Sequence, residues 1–289
     1  TLDIEMPGMS GIDFLKELIP TNPLPVVLVS SLNLRVFDAL HAGAVDFVRK
    51  PDGTQSPEAF IQSLAQKVVV AANSKVRRPR AMTEASAVLP AAKLGGNAQV
   101  VIGLGASTGG TEATLEVLKR LPDDIPGMVI VQHMPVGFTQ MYAERLNRLC
   151  AMEVREAKNG DEVKRGLALL APADFQCRMQ RTPSGGYILR VAPGEKVSGH
   201  RPSVDALFHS MAEQVRCQMV GIIMTGMGAD GAEGLLAMRR KGAFTIGQDQ
   251  KSSVVYGMPG VAHKIGAVCE QASCENVASV LLRYLKSKG

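Results

Sequence analysis

Short apolar, β-branched runs recur along the chain, and most are followed by stretches in which apolar residues return every three to four positions. That rhythm predicts buried parallel strands alternating with amphipathic helices. PVVLVSS (25–31) and AVDFVRKP (44–51) read as strands, the second stopped by Pro51. Leu32 to Ala42 reads as a helix ended by Gly43. SPEAFIQSLAQKVVVAANSKV (56–76) reads as a long helix with Ser56 as N-cap and Pro57 at its first position, placing Phe60, Leu64, Val68 and Ala71 on one face.

The periodicity stops at RRPRAMTEASAVLPAAKLGGN, which is rich in Pro, Ala, Gly and charge, so 77–98 reads as a linker between a front segment, 1–76, and a larger one, 99–289. In the larger segment AQVVIGLG and GMVIVQH are expected strands, followed by helices Gly109–Arg120 and Phe138–Leu149. From Val154 to Pro193 the short segments VREA, LALLAPA, FQCRMQRT and YILRVAP are split by Gly and Pro, which predicts a strand-rich insertion or hairpin region. Helix Val204–Val215, strand MVGIIMTG, helix Ala232–Lys241, strand AFTIGQD, helix Gly260–Lys264, strand AVCE and helix Glu275–Lys286 complete the pattern. The fold class is α/β, with a doubly wound parallel sheet in the larger domain.

Composition narrows the function. The 289 residues suit about two domains, and 46% hydrophobic content is enough for real cores. No apolar run approaches the roughly 18 residues of a membrane span, and TLDIEMPGMSG lacks the basic and apolar regions of a signal peptide. Five scattered cysteines, none in C-x-x-C, point to a reducing, cytoplasmic setting without disulfides or zinc. Much of the net charge of +5 sits at Lys75, Arg77, Arg78 and Arg80. That cluster suits either an anionic partner or a solvated linker; with 4% aromatics and no nucleic-acid module, a nucleic acid is not expected.

The richest chemistry lies in VIGLGASTGG (101–110). A dinucleotide loop needs a third glycine where Thr108 stands, and an acid ending the second strand where VQH stands; neither is present. No Gly-Lys-Ser/Thr follows, so it is not a P-loop. The frame Gly105-Ala106-Ser107-Thr108-Gly109 also fits G-x-S-x-G, in which a sharp turn lifts a nucleophilic serine above the sheet. Ser107 or Thr108 could equally cap the following helix. His133 ends the next strand and would lie near Ser107 if the strands are neighbours, although a structural histidine fits the same place. His41, His209 and His263 fall on helical stretches and His200 in a loop. Asp230, in TGMGADGAEG, is the leading acid to orient His133, with Asp205 as its rival; Asp230 and Glu233 also have capping-box spacing. The order Ser…His…Asp is not that of an α/β-hydrolase.

GASTGGTEA, QHMPVGFT, HRPSVDALF, TGMGADGAEG and YGMP together resemble the catalytic domain of the CheB family of chemotaxis receptor methylesterases, over Gln99 to about Tyr284. LDIEMPGMSGIDFL, VVLVSS and DFVRKP resemble the C-terminal part of a response-regulator receiver domain. The resemblance implies a Rossmann-like catalytic domain behind a partial flavodoxin-like receiver. It implies a cytoplasmic serine hydrolase that removes methyl esters from receptor glutamyl side chains as methanol and deamidates receptor glutamines. It carries the nucleophile to Ser107, the base to His133, the acid to Asp230 and an oxyanion donor to the Met227 backbone; the helix start at Thr108 and Gly109 is a second source of donors.

In the receiver the resemblance carries the phosphoacceptor to Asp3, the switch hydroxyl to Ser30 and the lysine to Lys50, with Mg²⁺ for phosphorylation and no cofactor or metal for ester hydrolysis. The implied partners are methylated chemoreceptor helices and a histidine kinase, without direct membrane insertion. The chain begins two residues before Asp3, so the family's first strand and its acids fall outside it, and weak control by phosphorylation is expected. Gln176 stands where many relatives carry histidine, implying an altered rim contact, and Ala229 replaces a common Asn. A partner-binding module without turnover and a generic esterase for small esters are the competing classes.

Overall fold

A computed structural model of the chain describes residues 1–31, 34–53, 56–76 and 99–288. The chain divides into two compact units, Thr1–Thr83 and Glu84–Gly289. The expected linker, with Arg77, Arg78 and Arg80, lies outside the described residues, as does Leu32 at the start of an expected helix.

The first unit runs β1 (Leu2–Asp3), α1 (Gly11–Thr21), β2 (Val27–Ser30), α2 (Arg35–His41), β3 (Asp46–Arg49) and α3 (Pro57–Ala72). Its strands pair in parallel in the order β1-β2-β3. Ser10 caps α1 and Ser56 caps α3, each accepting a backbone N–H three residues on. On α3 the predicted face is covered only in part: Ala71 is buried, Phe60 and Leu64 are half-buried and Val68 is exposed.

The second unit contains β4 (Val100–Ala106), α4 (Gly110–Leu118), β5 (Met128–Gln132), α5 (Phe138–Leu149), β6 (Glu153–Glu156), β7 (Asp161–Glu162), β8 (Leu167–Leu170), β9 (Gln176–Arg181), β10 (Tyr187–Ala192), α6 (Val204–Gln214), β11 (Gln218–Ile223), α7 (Ala232–Arg240), β12 (Phe244–Gln248), α8 (Met258–Lys264), β13 (Glu270–Ala272) and α9 (Val277–Lys286). Seven strands form a parallel sheet ordered β13-β12-β11-β4-β5-β8-β6, and β7-β10-β9 form a separate antiparallel sheet. This corrects the expected insertion: VREA and LALL belong to the main sheet, and only the later segments make the hairpin. AVCE is also displaced, because the strand there starts at Glu270.

Strand β4 is buried at all seven positions, as a central parallel strand should be. Its glycines admit α6 at close range. A Cβ on Gly103 would stand 2.9 Å from Phe208 and one on Gly105 2.3 Å from Val204. The pair that hinted at a phosphate loop therefore serves helix–sheet packing. From β4 the chain adds β5, then edge strand β6, and inserts β8 between them before returning to β11 on the other side of β4. The carboxyl ends of β11, β4 and β5 thus surround the topological switch point, where α/β sheets place their sites.

Candidate active site

Each expected residue sits just beyond one of those three strand ends. Ser107 follows β4 and His133 follows β5, and the register pairs Ala106 with Gln132, so the two stand side by side. The His133 amide donates to the Ala106 carbonyl at 3.1 Å. The Ser107 amide donates to Thr225 O at 3.0 Å, tying the turn to the loop after β11, and Gln132 Nε2 donates to Ser107 O at 2.9 Å. Gly109 takes the left-handed conformation, φ 76°, that starts α4. Gly226 presses on the serine: a Cβ there would fall 2.8 Å from Ser107 Cβ. No larger residue would let the 225–228 segment come so close.

Asp230 lies within reach of His133. Its Oδ2 is 2.9 Å from His133 Nε2, with the carboxylate side chain fully buried and the imidazole 10% exposed. A carboxylate only accepts, so Nε2 carries the proton and the lone pair of the neutral ring is on Nδ1. That Nδ1 is buried and has no hydrogen bond. The arrangement leaves one ring nitrogen able to take a proton.

The expected capping box does not form. Gly231 is the N-cap of α7, and the Asp230 carboxylate instead crowns α6, accepting Val204 N at 2.8 Å, Asp205 N at 3.0 Å and Ser203 Oγ at 2.7 Å. Burial pushes the Asp230 carboxyl up, but hydrogen bonds from His133, Asp205 and Ser203 and the charge of His133 outweigh it and hold it below the ordinary value. Asp205 reciprocates toward the other helix, accepting Gly234 N at 2.8 Å, and also accepts Ser198 Oγ at 2.8 Å. It is thus a support rather than the partner of His133.

Sequence reasoning passed over His200. Its ring stacks on His133, centroids 3.9 Å apart and planes 6° from parallel, and its Nδ1 lies 2.7 Å from Ser198 O. Burial and the neighbouring His133 lower its pKa against the pull of Asp230. Gln176 is a buried hub, not a rim contact: its Nε2 donates to Glu195 O and His200 O, both at 3.0 Å, and its Oε1 accepts Ser203 N at 3.0 Å. The only sequence signal for His200 was its place in HRPSVD.

His133, His200 and Asp230 are the one His/Cys/Asp/Glu group among the described residues with ligand atoms within 4.8 Å of one another. The two rings stack nearly parallel 3.9 Å apart, so an ion near them that lies on the in-plane lone-pair axis of one falls well off that of the other. Met227 is exposed beside the site, while Thr108 is buried in the serine turn.

In the first unit, Asp3, Ser30 and Lys50 gather at the carboxyl ends of the three parallel strands. Lys50 Nζ pairs with the Asp3 carboxylate and, chiefly through that hydrogen bond, lowers its pKa. Ser30 is buried and its carbonyl accepts Lys50 N at 2.8 Å. Among the described residues no helix is long and apolar enough to cross a membrane, and none of the five cysteines is in a disulfide.

Residues 102–281 match the CheB methylesterase family model and residues 1–62 the response regulator receiver domain. A protein-glutamate methylesterase/protein-glutamine glutaminase 2 of Syntrophomonas wolfei is 50% identical over 99% of this chain and 83% of its own length. The protein-glutamate methylesterase/protein-glutamine glutaminase of Escherichia coli K12 is 44% identical over 99% of this chain and 83% of its own. The crystal structure of the Thermotoga maritima CheB methylesterase catalytic domain aligns with a TM-score of 0.62 at 31% identity, covering 65% of this chain and all of that one.

Proposed function

Because the chain belongs to the CheB methylesterase family and carries a receiver domain in front, it acts as a protein-glutamate methylesterase and glutaminase in chemotaxis, and we propose that Ser107, His133 and Asp230 perform the reaction. In this reading residues 1–76 are the receiver, 77–98 the linker and 99–289 the catalytic domain, and the enzyme works in the cytoplasm on methylated chemoreceptor helices.

Ser107 Oγ attacks the carbonyl carbon of a γ-glutamyl methyl ester as its proton passes to His133 Nδ1. The oxyanion takes hydrogen bonds from backbone N–H groups at Met227 and at the Thr108–Gly109 helix start. As the tetrahedral intermediate collapses, the C–O bond breaks and Nδ1–H protonates the departing methoxide, which leaves as methanol. Water then gives a proton to Nδ1 and attacks the glutamyl-serine ester; the returning proton frees Ser107 and the free glutamate departs. With a glutamine substrate the same steps release ammonia.

Asp230 stays ionised throughout. Its remaining lone pairs are engaged by Ser203, Val204 and Asp205, so it steadies the imidazolium without taking the proton. The observation that supports the assignment is the 2.9 Å Nε2–Oδ2 bond, which commits Nε2 to donation and leaves the Nδ1 lone pair available to act as base.

In the receiver the reading assigns phosphate acceptance from a histidine kinase to Asp3, with Ser30 and Lys50 as response groups. Bound Mg²⁺ would supply charge neutralisation there. The Asp3 carboxylate would be one of its oxygen ligands.

A serine-directed covalent probe mapped by peptide mass tests the site. Labelling at Ser107 that methylated receptor suppresses is the expected result; labelling elsewhere, or none suppressed by receptor, overturns it.

A further inference from the structure

We propose that His200 is a positioning residue for His133: its neutral ring, stacked face to face, fixes the plane of the base and stabilises the imidazolium formed during acyl transfer. The inference rests on the assignment of His133 as base.

Geometry carries it. The ring separation of 3.9 Å and tilt of 6° cover one whole face of His133. A cation against an aromatic face within about 6 Å is attracted by the ring quadrupole, and most strongly where water is displaced. Nothing in the ground state needs that attraction, because His133 is then neutral. It grows as Ser107 gives up its proton, which is the kind of interaction that raises kcat.

His200 is itself held from several sides. Its ring nitrogen Nδ1 donates to Ser198 O, and Ser198 Oγ is bound by Asp205 at the start of α6. Its carbonyl accepts the amide of Gln176 on β9. Arg201, the next residue, pairs with Asp174. The ring is therefore placed by three elements, although 38% of its side chain remains open to solvent.

The same stack makes a second prediction. A proton on His200 would put two positive rings face to face when His133 charges. The groups facing His200 are His133 from the end of β5, Asp230 from the loop before α7, and Lys196 and the Ser198 carbonyl on its own loop. Asp230 is 3.9 Å away through Oδ2 and already bonded to His133. Lys196 opposes protonation and Asp230 favours it, while burial and His133 tip the balance toward the neutral ring. A proton on His200 should therefore slow turnover. On the acid side kcat/KM of the parent should fall more steeply than that of a variant with no titratable ring at position 200.

The test uses the full chain and a methylated receptor substrate, following methanol release across pH. His200→Ala should lower kcat about 2- to 30-fold near neutrality with KM little changed. His200→Phe restores an uncharged stacked face; it should recover most of that loss, and its acid limb should be shallower than the parent's. Wild-type kcat in His200→Ala, or a limb in His200→Phe as steep as the parent's, overturns the proposal. His133→Ala separates the two levels. If that variant keeps turning over, the base assignment itself is wrong; if it is inactive while both His200 variants match the parent, only the role of His200 fails.

Discussion

Replacing Asp230 with Asn tests both roles that its carboxylate fills. The substitution keeps shape and volume but exchanges one accepting oxygen for an NH₂ group that cannot accept. If the NH₂ replaces Oδ1, Ser203 Oγ can turn and accept from it, but Asp205 N–H loses its partner. If it replaces Oδ2, Val204 N–H is orphaned, and the NH₂ can donate to His133 Nε2 and drive the ring proton onto Nδ1, the atom needed as base. Either way a buried backbone N–H is left unsatisfied, which costs about 1–3 kcal/mol. Loss of the negative charge at the start of α6 adds about 0.3–2 kcal/mol, so roughly 1–5 kcal/mol of stability should disappear.

In the Oδ2 orientation kcat should also fall by about 10⁴, the scale associated with a wrong tautomer. Denaturant unfolding at neutral pH, run beside methanol release, reads both quantities. The pH dependence gives an independent sign. The folded Asp230 carboxyl lies below its unfolded value of about 3.9, so its contribution is complete above that value and is lost as pH falls through the folded value. The stability gap between parent and Asp230→Asn should therefore narrow in strong acid. A variant within about 0.5 kcal/mol of the parent at pH 7 would refute the dual role.

Three further outcomes follow from the structure. Ser107→Ala should lose about 10³–10⁶ in kcat for methanol release, and near-normal turnover would remove the serine from the mechanism. Gly105→Ala should destabilise the catalytic unit by about 1–3 kcal/mol, because the new Cβ would stand 2.3 Å from Val204; an unchanged denaturation midpoint would show that α6 can retreat without cost. Any phosphoryl group taken from a small phosphodonor with Mg²⁺ should be lost in Asp3→Asn; undiminished labelling of that variant would move the acceptor elsewhere.

The proximity of Ser107 and His133 was legible because each directly follows an apolar run, and a parallel sheet brings such ends together whatever the details of its helices; Asp230 lies farther on, in the loop after β11. Asp230 was legible as an acid but not as the cap of α6, because that contact spans 26 residues of sequence to Val204. VREA and LALL were misassigned for a similar reason. A short strand between Gly and Pro carries no local mark of the sheet it will join, and here β8 pairs with β5 in one register and β6 in another. His200 had only its own loop to recommend it; Gln176, Ser198 and Asp205 place it, and none of those tethers follows a periodic pattern.

The crossed carboxylates of α6 and α7 bear on how the enzyme comes into being. Asp230 satisfies the first amides of one helix while Asp205 satisfies an amide at the start of the other, so neither helix end is complete until both have docked. His133 receives its orienting acid only at that moment. A nascent or half-unfolded chain with β4 and β5 formed would display the serine and the histidine yet have no oriented base. Hydrolytic competence should therefore appear late in folding and vanish early in unfolding.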